Sequence, residues 1–178
     1  MKKHKNILQF LVKFFLTYGL LFIIYAFYLQ KTQQKKDFFT CSPLTTTVAE
    51  QTVFVLNIFG FNADFFQHDK ELSIKLLIDN VYISRVIEGC NSVSIIILFI
   101  AFVIAFKGKF KTTILYVLFG SLLIYIINIL RIAFLTIMLY KHPNQEELLH
   151  NLIFPAIIYG TVFFLWVIWV QKFSDYKK

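Results

Sequence analysis

Apolar runs of roughly twenty residues, the length that crosses a hydrocarbon core about 30 Å thick, recur along this 178-residue chain between short lysine clusters. That feature leaves it few folds. Charged residues make up 16% of the chain, against about 25% in an ordinary soluble domain, so a soluble globular protein is excluded. The sequence reads as a small, all-α polytopic membrane protein forming a single membrane-embedded unit over residues 1–178.

The spans follow from the hydropathy. The first runs from about Ile7 to Leu29, behind Lys2, Lys3 and Lys5. Its apolar stretch is longer than a signal peptide's, and Tyr25, Phe27, Tyr28 and Leu29 offer no small-residue cleavage site, so it reads as a retained anchor. The second covers 90–106 and stops at Lys107, Lys109 and Lys111. A third starts at Thr112, reaches Arg131 and extends to residue 140, which is long for one straight crossing. It either continues beyond the lipid or breaks near Arg131, which would make five spans instead of four. The last covers 150–170 and ends at Gln171 and Lys172.

The net charge of +8 takes its meaning from this topology. With four crossings, Lys2, Lys3, Lys5, Lys107, Lys109, Lys111, Lys172, Lys177 and Lys178 share one side with a single acidic residue, Asp175. The positive-inside rule then puts both termini in the cytoplasm, with Lys31, Lys35 and Lys36 a local exception. Most of the basic excess is thus topological, and a nucleic-acid partner is not expected.

The external segment, residues 30–89, is too long for a simple loop and short for an independent core. Thr45 to Phe61 has a Thr-rich start, an apolar second half and Gly60 near its end, which suits a helix lying at the interface or packed on the bundle. Farther on the period changes, and alternation around Asp79-Asn80 predicts a short β-hairpin feeding Cys90.

Depth brings chemistry together. Helical rise of 1.5 Å per residue carries Cys90 about 26 Å from Lys107, Arg131 about 30 Å from Lys111 and His150 about 33 Å from Lys172, so all three arrive near the outer surface. A thiol, a guanidinium and an imidazole at one level are the parts of a thiol acyl-transfer site. Cys90 would be the nucleophile, His150 its acid and base, and Arg131 the stabiliser of the oxyanion or thiolate. An arginine inside an apolar stretch is by default functional or paired. Asn128, three residues earlier on the same helical face, could orient the guanidinium or join helices. Plainer readings stand beside these: an inert buried cysteine, an interfacial histidine, an Arg131 salt bridge to Glu88, or a Cys41 to Cys90 disulfide that would leave a structural or redox protein. His68 and His142 compete for the role of base. No spacing suits zinc or haem, and no phosphate loop is present.

These residues carry a resemblance. Cys90 opening a span within Glu88-Gly89-Cys90-Asn91-Ser92, Asn128-Ile129-Leu130-Arg131 late in the next, and His150 opening the last with Gly160 downstream resemble the exosortase/archaeosortase family. The length and the EGCNS form look most like its small exosortase F branch. The resemblance covers about residues 45–170 and implies a membrane-embedded cysteine protease or transpeptidase with Cys90, Arg131 and His150 as the catalytic set, supported by Asn128 and Glu88. It implies substrates that are membrane-tethered secreted proteins bearing a C-terminal motif, a hydrophobic helix and a basic tail, cut at the outer face of the cytoplasmic membrane without a cofactor. Many members have Cys-Ser-Gly where this chain has Cys90-Asn91-Ser92, and the larger ones have about eight spans. The alternatives from other classes are a non-catalytic membrane subunit and a thiol-redox protein using Cys41 and Cys90.

Overall fold

A helix as apolar as this chain's longest run needs an uninterrupted backbone ladder in lipid, and the computed structural model, which describes residues 2–34, 39–106, 108–143 and 154–174, shows one. The element order is α1 (Lys2–Thr32), α2 (Pro43–Ile58), β1 (Ala63–Gln67), β2 (Ser73–Ile78), β3 (Val81–Ile87), a 3₁₀ turn at Glu88–Cys90, α3 (Val93–Ala105), α4 (Phe110–Lys141) and α5 (Phe154–Ile168). A π-helical turn, Trp169–Phe173, closes α5.

Among the described residues three helical stretches are long and apolar enough to cross a membrane: Ile7–Thr32, Phe110–Lys141 and Pro155–Phe173. The expected count of four, or five, is not confirmed, because the apolar α3 falls below that length. Residues 90–92, read above as the start of the second span, form the 3₁₀ turn and its exit, leaving α3 with 13 residues. That is about 20 Å of helix, short of a full hydrocarbon core. Nor does the third span break at Arg131: α4 continues unbroken for 32 residues, about 48 Å of rise.

The excess length of α4 has a partner. Its second half carries the segment between α1 and α3, which forms a cap of one helix and one sheet. Tyr125 donates its hydroxyl to Gln51 of α2 (2.8 Å), the Ser84 and Thr136 hydroxyls meet at 2.8 Å, and Tyr140 donates to Asp79 (2.8 Å). Ile132 and Ala133 join Val48, Leu56, Ile74, Leu76, Ile78 and Val86 in the cap's core. The cap is not the helix plus hairpin expected from the sequence: its sheet has three antiparallel strands in the order β1-β2-β3, so the molecule is mostly helical but not all-α. The predicted hairpin is there, turning through Asp79 and Asn80 at φ 52° and 63°, the pair of left-handed residues that a type I′ turn requires. Helix α2 starts on Ser42, whose hydroxyl accepts from the Thr45 N–H, with Pro43 at its first position. It stops at Gly60, with φ of 84°, a conformation most residues avoid.

The first half of α4 packs instead among α3 and α5. Phe99, Ile124, Ile158, Val162, Leu165 and Trp169 are buried together there, and Tyr116 donates to the Leu165 carbonyl (2.6 Å). Phe10 of α1 meets Phe102 edge to face and Phe106 at a tilt at the end of α3. The closest approach is at Gly120, where a β-carbon would run into the Phe99 ring. Gly120→Leu should therefore overpack this core and lower stability by at least about 1–3 kcal/mol, read as a reduced midpoint in detergent unfolding, while Gly19→Leu, with nothing within 4 Å, should have little effect.

Candidate active site

The five residues Glu88-Gly89-Cys90-Asn91-Ser92 join the end of β3 to the start of α3, and three other helices fix them. Glu88 caps α2. Its Oε1 accepts from the Ser42 N–H (2.7 Å), and its Oε2 accepts from the Ser42 hydroxyl (2.9 Å) and the Thr45 hydroxyl (2.5 Å). A carboxylate at a helix N-terminus also meets the positive end of the helix dipole. Asn91, buried at 1% exposure, donates to Tyr25 of α1 (2.8 Å) and to the Thr45 hydroxyl (3.1 Å), while its Oδ1 accepts from the Val93 N–H (3.1 Å). The third tie comes from α4, where the buried Asn128 side chain donates to the Cys90 carbonyl at 2.7 Å.

Asn128 thereby joins α4 to the turn and holds the backbone of the cysteine. Arg131 lies three residues on, half-buried, which places its Cα about 4.5 Å farther along the helix axis from the residue that grips Cys90. Among the described residues no carboxylate comes within ion-pair distance of Arg131, and Glu88 spends its oxygens on α2. The salt bridge considered above between Arg131 and Glu88 is therefore not formed. His150 lies outside the described residues. Of the competing bases, His68 accepts the Lys70 N–H on Nδ1 (3.1 Å) and has Nε2 3.6 Å from Glu71, on the cap. His142 is exposed and ends α4, its N–H bonded to the Met138 carbonyl (2.7 Å).

The two cysteines are free thiols in contrasting surroundings, so the disulfide weighed above is not formed here. Cys90 is half-buried at the edge of the cap core. Cys41 is buried at 2% exposure, and burial pushes its thiol up to about 11, partly offset by a hydrogen bond from Gln67. Alkylation at neutral pH should thus modify Cys90 and spare Cys41, which reacts through its thiolate. The raised value also has a stability consequence. The thiol favours the fold fully below pH 9 and progressively less as pH rises toward 11, a loss of about 2–3 kcal/mol by that point. In denaturant titrations between pH 8 and 11, Cys41→Ala should show a shallower alkaline decline than the parent chain.

Ser92 adopts φ of 64°, the left-handed region that glycine occupies freely. This is the position at which the Cys-Ser-Gly pattern has its glycine, and here a serine holds the left-handed conformation. Ser42, Thr45, Asn91 and Tyr25 have no site role in the sequence reading. Ser42-Pro43 does signal a helix start, but nothing local predicts that Tyr25 meets Asn91 across 66 positions.

Among the described residues no cluster of three His, Cys, Asp or Glu could hold a metal. In comparison with protein families, a model described as transmembrane exosortase matches residues 9–170. No curated protein and no solved structure matches the chain.

Proposed function

Because the chain belongs to the transmembrane exosortase family, we propose that it is a membrane-embedded cysteine transpeptidase, of the small exosortase F branch, with Cys90 as nucleophile. The observation that carries this reading is the triple fixation of the turn around Cys90, from α1 by Tyr25, from α2 by Ser42 and Thr45, and from α4 by Asn128. A nucleophile held on its backbone from several helices keeps a productive geometry without paying for it at each turnover.

In the proposed reaction the Cys90 thiol loses its proton to His150 and its sulfur attacks the scissile carbonyl carbon. Arg131 stabilises the oxyanion that develops, a fixed cation in a site shielded from water. The intermediate collapses with cleavage of the C–N bond, His150 returns the proton to the departing amine, and a thioester on Cys90 remains. An amine acceptor or water then attacks the thioester and regenerates the thiol. Substrates are membrane-tethered secreted proteins with a C-terminal motif, an apolar helix and a basic tail, whose helix docks beside the bundle. The reading places the site on the outer face of the cytoplasmic membrane with both termini inside, which the lysine distribution supports when α3 is counted as a fourth crossing.

The test is the covalent intermediate. In nanodiscs, the protein incubated with a tripartite-tailed substrate should give an adduct that hydroxylamine releases and that maps to Cys90 by mass spectrometry. An adduct elsewhere, or processing with no thioester at Cys90, would reject the assignment.

A further inference from the structure

Helix α2 packs on the cap with one side only. At 3.6 residues per turn, Leu44, Thr47, Gln51, Phe54 and Ile58 fall within about 80° of one another, a stripe along the helix. All five are exposed, Phe54 at 65% and Ile58 at 66%. The opposite face, with Ala49, Val53 and Leu56, is buried in the cap. Glu50, the one charged residue of α2, and Asn57 lie outside the stripe, about 40° and 60° beyond Phe54.

The level of this stripe in the membrane is fixed by α4. The exposed Lys109 and Lys111 mark where α4 enters the lipid. Tyr125 comes fourteen residues after Lys111, a rise of about 21 Å against a hydrocarbon core of about 30 Å. Tyr125 thus stands about 9 Å below the far boundary, and any tilt of α4 lowers it. Its hydroxyl donates to Gln51, in the middle of the stripe, at 2.8 Å. The stripe is therefore turned toward the flank of α4, at the depth of about 5–10 Å where interfacial helices lie. Below that bond the flank stays apolar and open. Leu122 and Leu118, on the face of Tyr125 and one and two turns before it, are exposed at 55% and 61%. This is the lipid-facing surface of a span, and the stripe of α2 continues it.

We infer that the stripe of α2 is seated among the acyl chains of the leaflet on the cap's side, so that the cap is half-immersed in the bilayer. The inference rests on depth and exposure and is independent of the reaction at Cys90. Lying at the interface and packing on the bundle, alternatives for this segment in the sequence, become two faces of one helix. Helix α2 has no basic residue and gains nothing from anionic headgroups, so apolar burial alone holds it in place. One consequence reaches the candidate site. Glu88 caps the first turn of α2, which ties the turn at Cys90 to a helix anchored in lipid.

The probe is a bimane fluorophore on single cysteines in the full-length Cys90→Ala protein, held one chain per nanodisc of phosphatidylcholine. Phe54→Cys and Ile58→Cys report the stripe, Leu122→Cys the lipid, and Lys70→Cys, at an exposed position between β1 and β2, the water. The Cys90→Ala protein without an added cysteine corrects for Cys41. A nitroxide on the lipid acyl chain should quench positions 54 and 58 as strongly as 122 and at least about threefold more than 70, as a face immersed in the acyl boundary requires. Aqueous iodide should give the reverse order, and it should quench Glu50→Cys, beside the stripe, more than Phe54→Cys. Iodide quenching at 54 and 58 equal to that at 70 would overturn the inference. Shielding of both positions from lipid and iodide alike would also overturn it, since protein would then cover the face. So would lipid quenching that appears only when anionic lipid is added, because charge would then replace apolar burial.

Discussion

Replacing Cys90 by alanine should end processing of a tripartite-tailed substrate, with a loss of at least about a thousandfold, as expected when a covalent nucleophile is removed. The protein should still fold and insert, because Cys90 is only half-buried at the rim of the cap core and its main structural contact is a carbonyl, which alanine retains, accepting from Asn128. Accumulated precursor on immunoblots, with parent-like amounts of protein in the membrane fraction, is the expected result. Processing at the parent's rate would remove Cys90 from the mechanism. Arg131→Ala and His150→Ala should each lower the rate while leaving Cys90 open to alkylation, which separates their roles from that of the nucleophile. Asn128→Ala should lower kcat more than it raises KM, because Asn128 acts through the backbone of Cys90.

The second large effect belongs to Glu88. Its two oxygens take three hydrogen bonds from Ser42 and Thr45 at the start of α2, and Ser42 and Thr45 are fully buried. Glu88→Ala strands those donors away from water, where each unsatisfied group costs about 1–3 kcal/mol. A loss of roughly 2–4 kcal/mol overall is expected, with lower activity because the same residue begins the Cys90 turn. Glu88→Gln should fall between, since its amide nitrogen cannot accept from a hydroxyl that the carboxylate oxygen satisfied. Unfolding midpoints and processing rates should decline together across parent, Gln and Ala. A stable Glu88→Ala protein would mean that the buried hydroxyls find other acceptors.

How much of this could be read from the residues depends on the range of the force involved. Lipid solubility is summed locally over some twenty residues, so α1, α4 and α5 were visible as apolar runs. Turn chemistry is equally local: Asp79-Asn80 marked the hairpin and Ser42-Pro43 opens α2. The start of α3 is not legible locally because Cys90 extends the apolar run that follows it, whereas Glu88 and Asn91 have distant partners that hold the backbone in a 3₁₀ turn. Strand β1 was missed since Ala63–Gln67, with two adjacent phenylalanines, shows no alternation, and its strand character comes from pairing with β2. The length of α4 left two outcomes open because the choice depended on whether another segment would cover its second half. Cys90, Asn128 and Glu88 stood out in the sequence, but Tyr25, Thr45 and Asn91 did not, being ordinary residues until a distant contact gives them work.

The unbroken course of α4 makes it a rod shared by both cores, with the Cys90 carbonyl pinned to it at Asn128 and the cap seated from Tyr125 to Tyr140. A hinged helix could absorb a change in bilayer thickness at the hinge. A rigid one responds by tilting, and a tilt of α4 carries the cap and the pinned cysteine with it as one piece. On the transpeptidase reading, the height of the Cys90 sulfur over the lipid would then follow the thickness of the bilayer around α4.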